Sequence, residues 1–207
     1  GSGAQGGPAF NNSLSGTPRA PISEIADQPA RIEERAKKVD DGAGGVVEQT
    51  VKFPIWFDAV ANGGTPMCQA LAQAERVLAE WLSQHPGCFP PIVINITDGE
   101  ATDGDPTGPA NTLKNLASKD GGVLLFNIHI SSKGSAPVEF PDADSTLPDE
   151  FSKLLYNTSS PLPDYMRTVA QQEGYTVSPA TRGFVFNGDM VSVVKFLDIG
   201  TRPSNLR

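Results

Sequence analysis

"IVINITDGEATDGD", residues 92–105, decides how this chain is read. Its first six residues carry no charge and are mostly β-branched, the composition of a strand buried on both faces of a parallel sheet. Four acids then fall within eight positions: Asp98, Glu100, Asp103 and Asp105. A turn accounts for one Asp-Gly pair. It does not account for four like charges at one strand end, which repel each other unless a positive charge sits among them. A bound cation would meet that need.

Upstream, "NGGTPMCQALAQAERVLAEWLSQHPG" (62–87) predicts a helix. Thr65 suits the N-cap and Pro66 the first helical position. Met67, Ala70, Leu71, Ala74, Val77, Leu78, Trp81 and Leu82 form an apolar stripe at helical spacing, and Pro86 with Gly87 ends it. Downstream, a helix is expected over 109–118, and "GVLLFNIHI" (122–130) reads as a second buried strand. Helices are expected over 148–156 and 163–173. "GFVFN" (183–187) is a short strand, and "DMVSVVKFLDIG" is a closing helix with Asp189 near its cap. Strands alternating with helices predict an α/β fold, a mostly parallel sheet with helices on both faces. The strands 92–97, 123–130 and 183–187 should be parallel neighbours. In such sheets ligands bind beyond the carboxyl ends of the strands, where Asp98 falls.

The stretch before the helix differs in character. "VVEQTVKFPIWF" (46–57) alternates, with Val47, Val51, Phe53, Ile55 and Phe57 on one side, and reads as a strand that Pro54 places near an edge. "RIEERAKKV" fits either helix or strand, and the turn-rich "DDGAGG" after it favours a hairpin. Residues 8–58 are therefore expected to be a β-rich excursion beside the sheet edge with no core of their own, and 60–200 the body of a single domain spanning 1–207. The opening "GSGAQGG" reads as a linker, a cloning remnant or an internal piece of a longer chain.

Bulk properties narrow the function classes. The 207 residues are 38% hydrophobic, enough for a real core, and carry a net charge of −8. That charge argues against nucleic acid and against anionic membranes, which attract basic patches. No apolar run reaches the ~20 residues of a membrane span. Cys68 and Cys88 give neither a disulfide framework nor a zinc cluster, and a cytoplasmic location is expected.

Mg²⁺ takes oxygen ligands and keeps several waters. Asp98 after its strand and Thr65 after two glycines are the candidate ligands, although by itself Thr65 is simply a helix cap. "NGGTPM" before an Ala/Leu-rich helix, then an apolar strand ending "ITDGE", then "LLFNIHIS", resembles a von Willebrand factor type A (VWA) domain of the bacterial intracellular kind over roughly residues 60–200. The resemblance implies a Rossmann-like sheet and no catalytic activity. It also implies a divalent-cation-dependent adhesion site that binds protein partners, often through a partner's carboxylate. The ion would be Mg²⁺, with Ca²⁺ or Mn²⁺ as substitutes. The family's loop threonine maps onto Thr65 and its third-loop aspartate onto Asp98, with Glu100, Asp103 and Asp105 as an acidic rim.

The family's Asp-x-Ser-x-Ser loop has no counterpart. "NNSLSG" offers Asn11 or Asn12, Ser13 and Ser15, without a preceding apolar strand, and "DADST" at 142 has the wrong spacing. The first strand and its ion loop are thus expected to come from sequence outside these residues or to have been lost, and the site in this chain to be incomplete.

Two other readings exist. "DGDPTG" from Asp103 matches the start of an EF-hand loop, but Lys114 stands where the bidentate Glu belongs. A haloacid-dehalogenase-type, Mg²⁺-dependent phosphatase would use Asp98 as nucleophile, Glu100 as the second acid and Ser131 after the next strand. His85 suits a helix C-terminus, His129 reads as a core residue, and "GAGG" at 42 lacks the context of a phosphate loop.

Overall fold

A computed structural model of the chain describes residues 6–10, 12–40, 42, 44–58, 63–131 and 135–201. The chain divides into two units, one of residues 6–63 and one running from Gly64 onward. Asn11 lies outside the described residues.

In the first unit a short helix, α1 (Ile22–Asp27), precedes a hairpin of β1 (Arg31–Asp40) and β2 (Val46–Ile55). The ambiguous "RIEERAKKV" is a strand. Its ten residues pair antiparallel with β2, from Arg31 opposite Ile55 to Asp40 opposite Val46. At the turn, Gly42 (φ +75°) donates its N–H to Asp40 Oδ1 (2.7 Å). The expected alternation of β2 is present, but it does not produce a buried face: Val46, Val47 and Phe53 are exposed. Among the described residues of this unit only Leu14 is buried. Polar contacts support the hairpin instead. Arg31 and Arg35 both pair with Glu33, and the Arg35 guanidinium lies 4.1 Å above the Phe53 ring. Trp56 Nε1–H donates to Ile25 O (2.7 Å), tying α1 to the end of β2.

The second unit is a mixed α/β body. Its elements are α2 (Met67–Gln84), β3 (Ile92–Thr97), α3 (Thr107–Lys114), β4 (Ala117–Ser118), β5 (Gly121–Gly122), β6 (Leu124–His129), β7 (Val138–Glu139), α4 (Glu150–Thr158), α5 (Asp164–Gln172), β8 (Phe184–Phe186) and α6 (Met190–Thr201). The main sheet has the order β3-β6-β8-β7. As expected, β3, β6 and β8 are parallel neighbours. Ile92 to Thr97 lie opposite Leu124 to His129, and Asn127 to His129 lie opposite Phe184 to Phe186. The sequence did not suggest β7, two residues that close one edge antiparallel to β8. Helix α3 starts two residues before the expected 109 and stops at Lys114, where β4 and β5 form a small hairpin.

Alternating side chains divide the core into two layers. Leu125, Phe184 and Phe186 pack with Leu71 of α2, Leu113 of α3 and Leu155 of α4. Phe126, Ile128 and Val185 pack with Met166 of α5 and with Phe196 and Ile199 of α6. Period-2 side chains on β6 and β8 therefore feed helices on both faces, as the repeating strand–helix pattern implied. Each fully buried Phe or Leu contributes roughly 1.5–3 kcal/mol relative to exposure.

One expectation is corrected. The apolar "IVINIT" run is not buried on both faces of a sheet interior. Among the described residues it is an edge strand, in which only Thr97 is buried and Ile96 is 51% exposed. Composition reported an apolar strand but not the number of its neighbours.

Candidate functional site

Strand β3 delivers Asp98 to the carboxyl end of the sheet. Thr97, in register with His129, donates its hydroxyl to Gly99 O (2.7 Å) and accepts from Gly99 N–H (3.3 Å). This local turn stops the strand and leaves Asp98 exposed beyond it.

The "GGTP" loop meets the same strand end. Thr102 N–H donates to Thr65 O (2.9 Å). Gly64 lies so close to Thr102 that a Cβ there would fall 2.3 Å from Thr102 Oγ1 and 2.9 Å from its Cβ, so only glycine fits without displacing that side chain. Thr65 Oγ1 is 3.5 Å from where a Cβ on Gly99 would stand. The two segments that the sequence singled out, 37 residues apart at Thr65 and Thr102, thus pack against each other, with Thr65 beside Gly99, the residue after Asp98.

Thr65 does not act as the side-chain N-cap of α2. The helix starts at Met67, one residue later than expected, and no side chain of its own N-cap position bonds to it. Asp103 does this instead. Cys68 N–H donates to Asp103 Oδ1 (3.1 Å) and Gln69 N–H to Oδ2 (2.9 Å). A carboxylate from a later loop thereby satisfies two of the helix's orphan donors. Loss of some hydration pushes the Asp103 pKa up, but the hydrogen bonds from Gln69, Cys68 and the Cys68 thiol outweigh it and hold the group below the ordinary aspartate range. Burial, and then the charges of Asp103 and Asp105, push the Cys68 thiol up, so it stays protonated despite its place at a helix N-terminus.

Asp105 has a similar local role. Thr107 N–H donates to its Oδ1 (2.9 Å) at the start of α3, and bonds from the Thr107 side chain and backbone lower its pKa. Of the four acids, two are therefore engaged at helix N-termini, while Asp98 and Glu100 stand exposed at the strand end. Among the described residues no group of three or more His, Cys, Asp or Glu side chains is arranged to hold a metal ion.

The remaining candidates separate from this surface. Residues from Thr107 to Lys114, which an EF-hand would need as loop, are helix α3, and Lys114 Nζ donates to Thr158 O (2.8 Å). His129 is a core residue, edge-on to Phe151 and Phe186 with centroids 5.2 Å away in each case. His85 caps the end of α2 against Trp81, at 3.8 Å. Asp189 accepts from Ser192 N–H (2.8 Å) at the start of α6, as expected.

The sequence reading missed a polar link beneath the site. Asn95 Nδ2–H donates to Asn127 Oδ1 (2.8 Å), and the fully buried Asn127 donates to Leu155 O (3.0 Å) and Ser159 Oγ (2.8 Å). It fixes β3 to β6 and β6 to α4. Its signal was an Asn inside each of two apolar strands, at positions that turn out to lie in register.

Within the described residues no helix is long and apolar enough to cross a membrane. No protein-family model, no curated protein and no solved structure matches the chain.

Proposed function

We propose that this chain is a protein-binding module of the VWA type, with a Rossmann-like sheet and part of a divalent-cation adhesion site at the carboxyl end of β3. The observation that supports this best is the packing of the Thr65 loop against the Asp98 loop. It brings the Thr65 loop beside the loop that carries the exposed Asp98, where a Mg²⁺ ion that keeps several waters would find oxygen ligands. Asp98 supplies the charge and Thr65 a neutral oxygen. Glu100 adds field at the rim, whereas Asp103 and Asp105 shape the loop by capping helices. The remaining ligands come from a hydroxyl-bearing Asp-x-Ser-x-Ser loop outside residues 1–207, and a partner's carboxylate completes the shell. In this reading the ion is a bridge between two proteins and no bond is broken.

The runner-up is a Mg²⁺-dependent phosphatase with Asp98 as nucleophile, favoured only by the placement of Asp98 at a strand end. The two readings separate in one assay. With Mg²⁺ present, the binding module leaves a generic aryl phosphate unhydrolysed. Turnover lost in Asp98→Asn would replace the adhesion reading with the phosphatase.

A further inference from the structure

Two cations meet at the end of the sheet remote from Asp98. Ser160, just past α4, accepts from Leu125 N–H (3.0 Å) at the start of β6, whereas Asp98 follows Thr97, which lies opposite the last residue of β6. At this far end Lys114 Nζ donates to Thr158 O (2.8 Å), and Arg182 Nη1 donates to Ser159 O (2.5 Å) and Asn157 O (3.4 Å). Thr158 is the last residue of α4 and Ser159 its C-cap. Their Cα atoms are about 3.8 Å apart, so the two half-buried cations are near neighbours. Capping a helix does not balance the pair. The C-terminus of a helix carries about −0.5 of a charge, which leaves roughly +1.5 against two full cations. Arg31, Arg35, Lys153 and Arg167 each pair with a carboxylate. Among the described residues Lys114 and Arg182 pair with none, in a chain of 24 acids and 16 bases. Asp142 and Asp144, close in sequence to the Pro141 carbonyl that accepts from Arg182 N–H, take neutral donors instead, Thr181 and Asn157. Burial, and then the Arg182 charge, holds the Lys114 pKa below the ordinary lysine value.

We propose that Lys114 and Arg182 together bind a phosphate group, as the free ion or as a monoester. Arg182 commits only Nη1 to the helix carbonyls. Its Nε–H and Nη2–H edge makes no hydrogen bond among the described residues. That edge offers two parallel donors to two oxygens of one anion. The guanidinium is held 5.3 Å from the centroid of the buried Tyr156 ring, which limits its orientations. Lys114 spends one of its three N–H donors on Thr158 O and has two left for a third oxygen. A carboxylate has only two oxygens and one charge. A phosphate monoester has three free oxygens and a charge of about −1.5 to −2 at pH 7, which matches the uncompensated positive charge. The site lies away from the Asp98 loop and does not depend on the cation reading.

The test titrates sodium phosphate into the whole 207-residue chain at neutral pH and constant ionic strength, and follows the Arg182 Nε–H and Lys114 side-chain signals by NMR. Sodium chloride and sodium acetate serve as controls. Phosphate should shift both signals along one saturable curve, and neither control should. Lys114→Gln and Arg182→Gln should each weaken phosphate binding ~10-fold or more, the loss of one charge-assisted contact. Both residues also hold the end of α4, so the parent chain decides the matter if a variant unfolds. Shifts in the parent that rise linearly, or that acetate or chloride reproduces, would overturn the proposal. So would unchanged phosphate affinity in a folded Lys114→Gln chain, because Arg182 would then act alone. A capped glycine–phosphoserine–glycine peptide distinguishes the source. Binding tighter than that of inorganic phosphate marks an esterified ligand, binding no tighter marks the free ion, and either upholds the site.

Discussion

Asp103 accepts two backbone N–H groups from a helix 34 and 35 residues earlier in the chain, and that makes it separable from Asp98. Removing a cap of this kind costs about 1 kcal/mol. Asp103→Ala should therefore lower stability by that order in urea unfolding, whereas Asp98→Ala, at an exposed position, should stay within roughly 0.5 kcal/mol of the parent. The pH dependence follows from the sign of the shift. Because folding lowers the Asp103 pKa, its contribution is present above the unfolded value, about 3.9. It is lost as pH falls through the lower folded value. The stability gap between parent and Asp103→Asn should be constant near neutrality and close under acid. Gly64 makes a sharper claim about geometry. A methyl group there overlaps Thr102, so Gly64→Ala should cost roughly 1–3 kcal/mol, and Thr102→Gly in the same chain should recover most of it. Additive losses in that double-mutant cycle would contradict the close approach of the two loops. None of this was legible from local sequence. Thr65 and Asp103 both carry capping side chains, and only the fold decides which one reaches α2.

At the scale of elements, period and punctuation made most of the second unit legible: the stripe of α2, the three parallel strands and the order of the helices. What the pattern could not carry was lateral position. A run such as "IVINIT" has one composition whether it has one neighbour or two, so its place at the edge emerged only with the topology. The hairpin is present as expected. Its alternation was read correctly as a strand, yet alternation implies a buried face only when something packs on it, and β2 is largely exposed. Close packing inside the sheet gives a further prediction. A Cβ at Gly183 would lie 2.1 Å from Cδ1 of the buried Phe126 ring. Gly183→Ala should therefore destabilise by at least about 1–3 kcal/mol, read as a lower urea midpoint, while an exposed change such as Ile96→Thr should not. A parent-like midpoint for Gly183→Ala would mean that β8 does not approach Phe126 as described.

For the molecule as a whole, the two units differ in what holds them. The second has a layered core of large apolar side chains, and the first has Leu14 and a hairpin supported by exposed ion pairs, each worth ~0–1 kcal/mol. Residues 1–63 expressed alone should show no cooperative thermal transition, because a two-stranded hairpin is marginal in water. A sharp melt by circular dichroism would show that the unit has a core of its own. In the proposed reading, residues 1–207 carry Thr65 and Asp98 but not the other ligands of the cation site. Calorimetric titration of Mg²⁺ into the chain, with Asp98→Ala beside it, measures this. No tight uptake by the chain is expected, and Asp98→Ala should leave the titration unchanged. Tight uptake by the chain alone, lost in Asp98→Ala, would contradict it and mean that neighbours such as Glu100 complete the shell unaided.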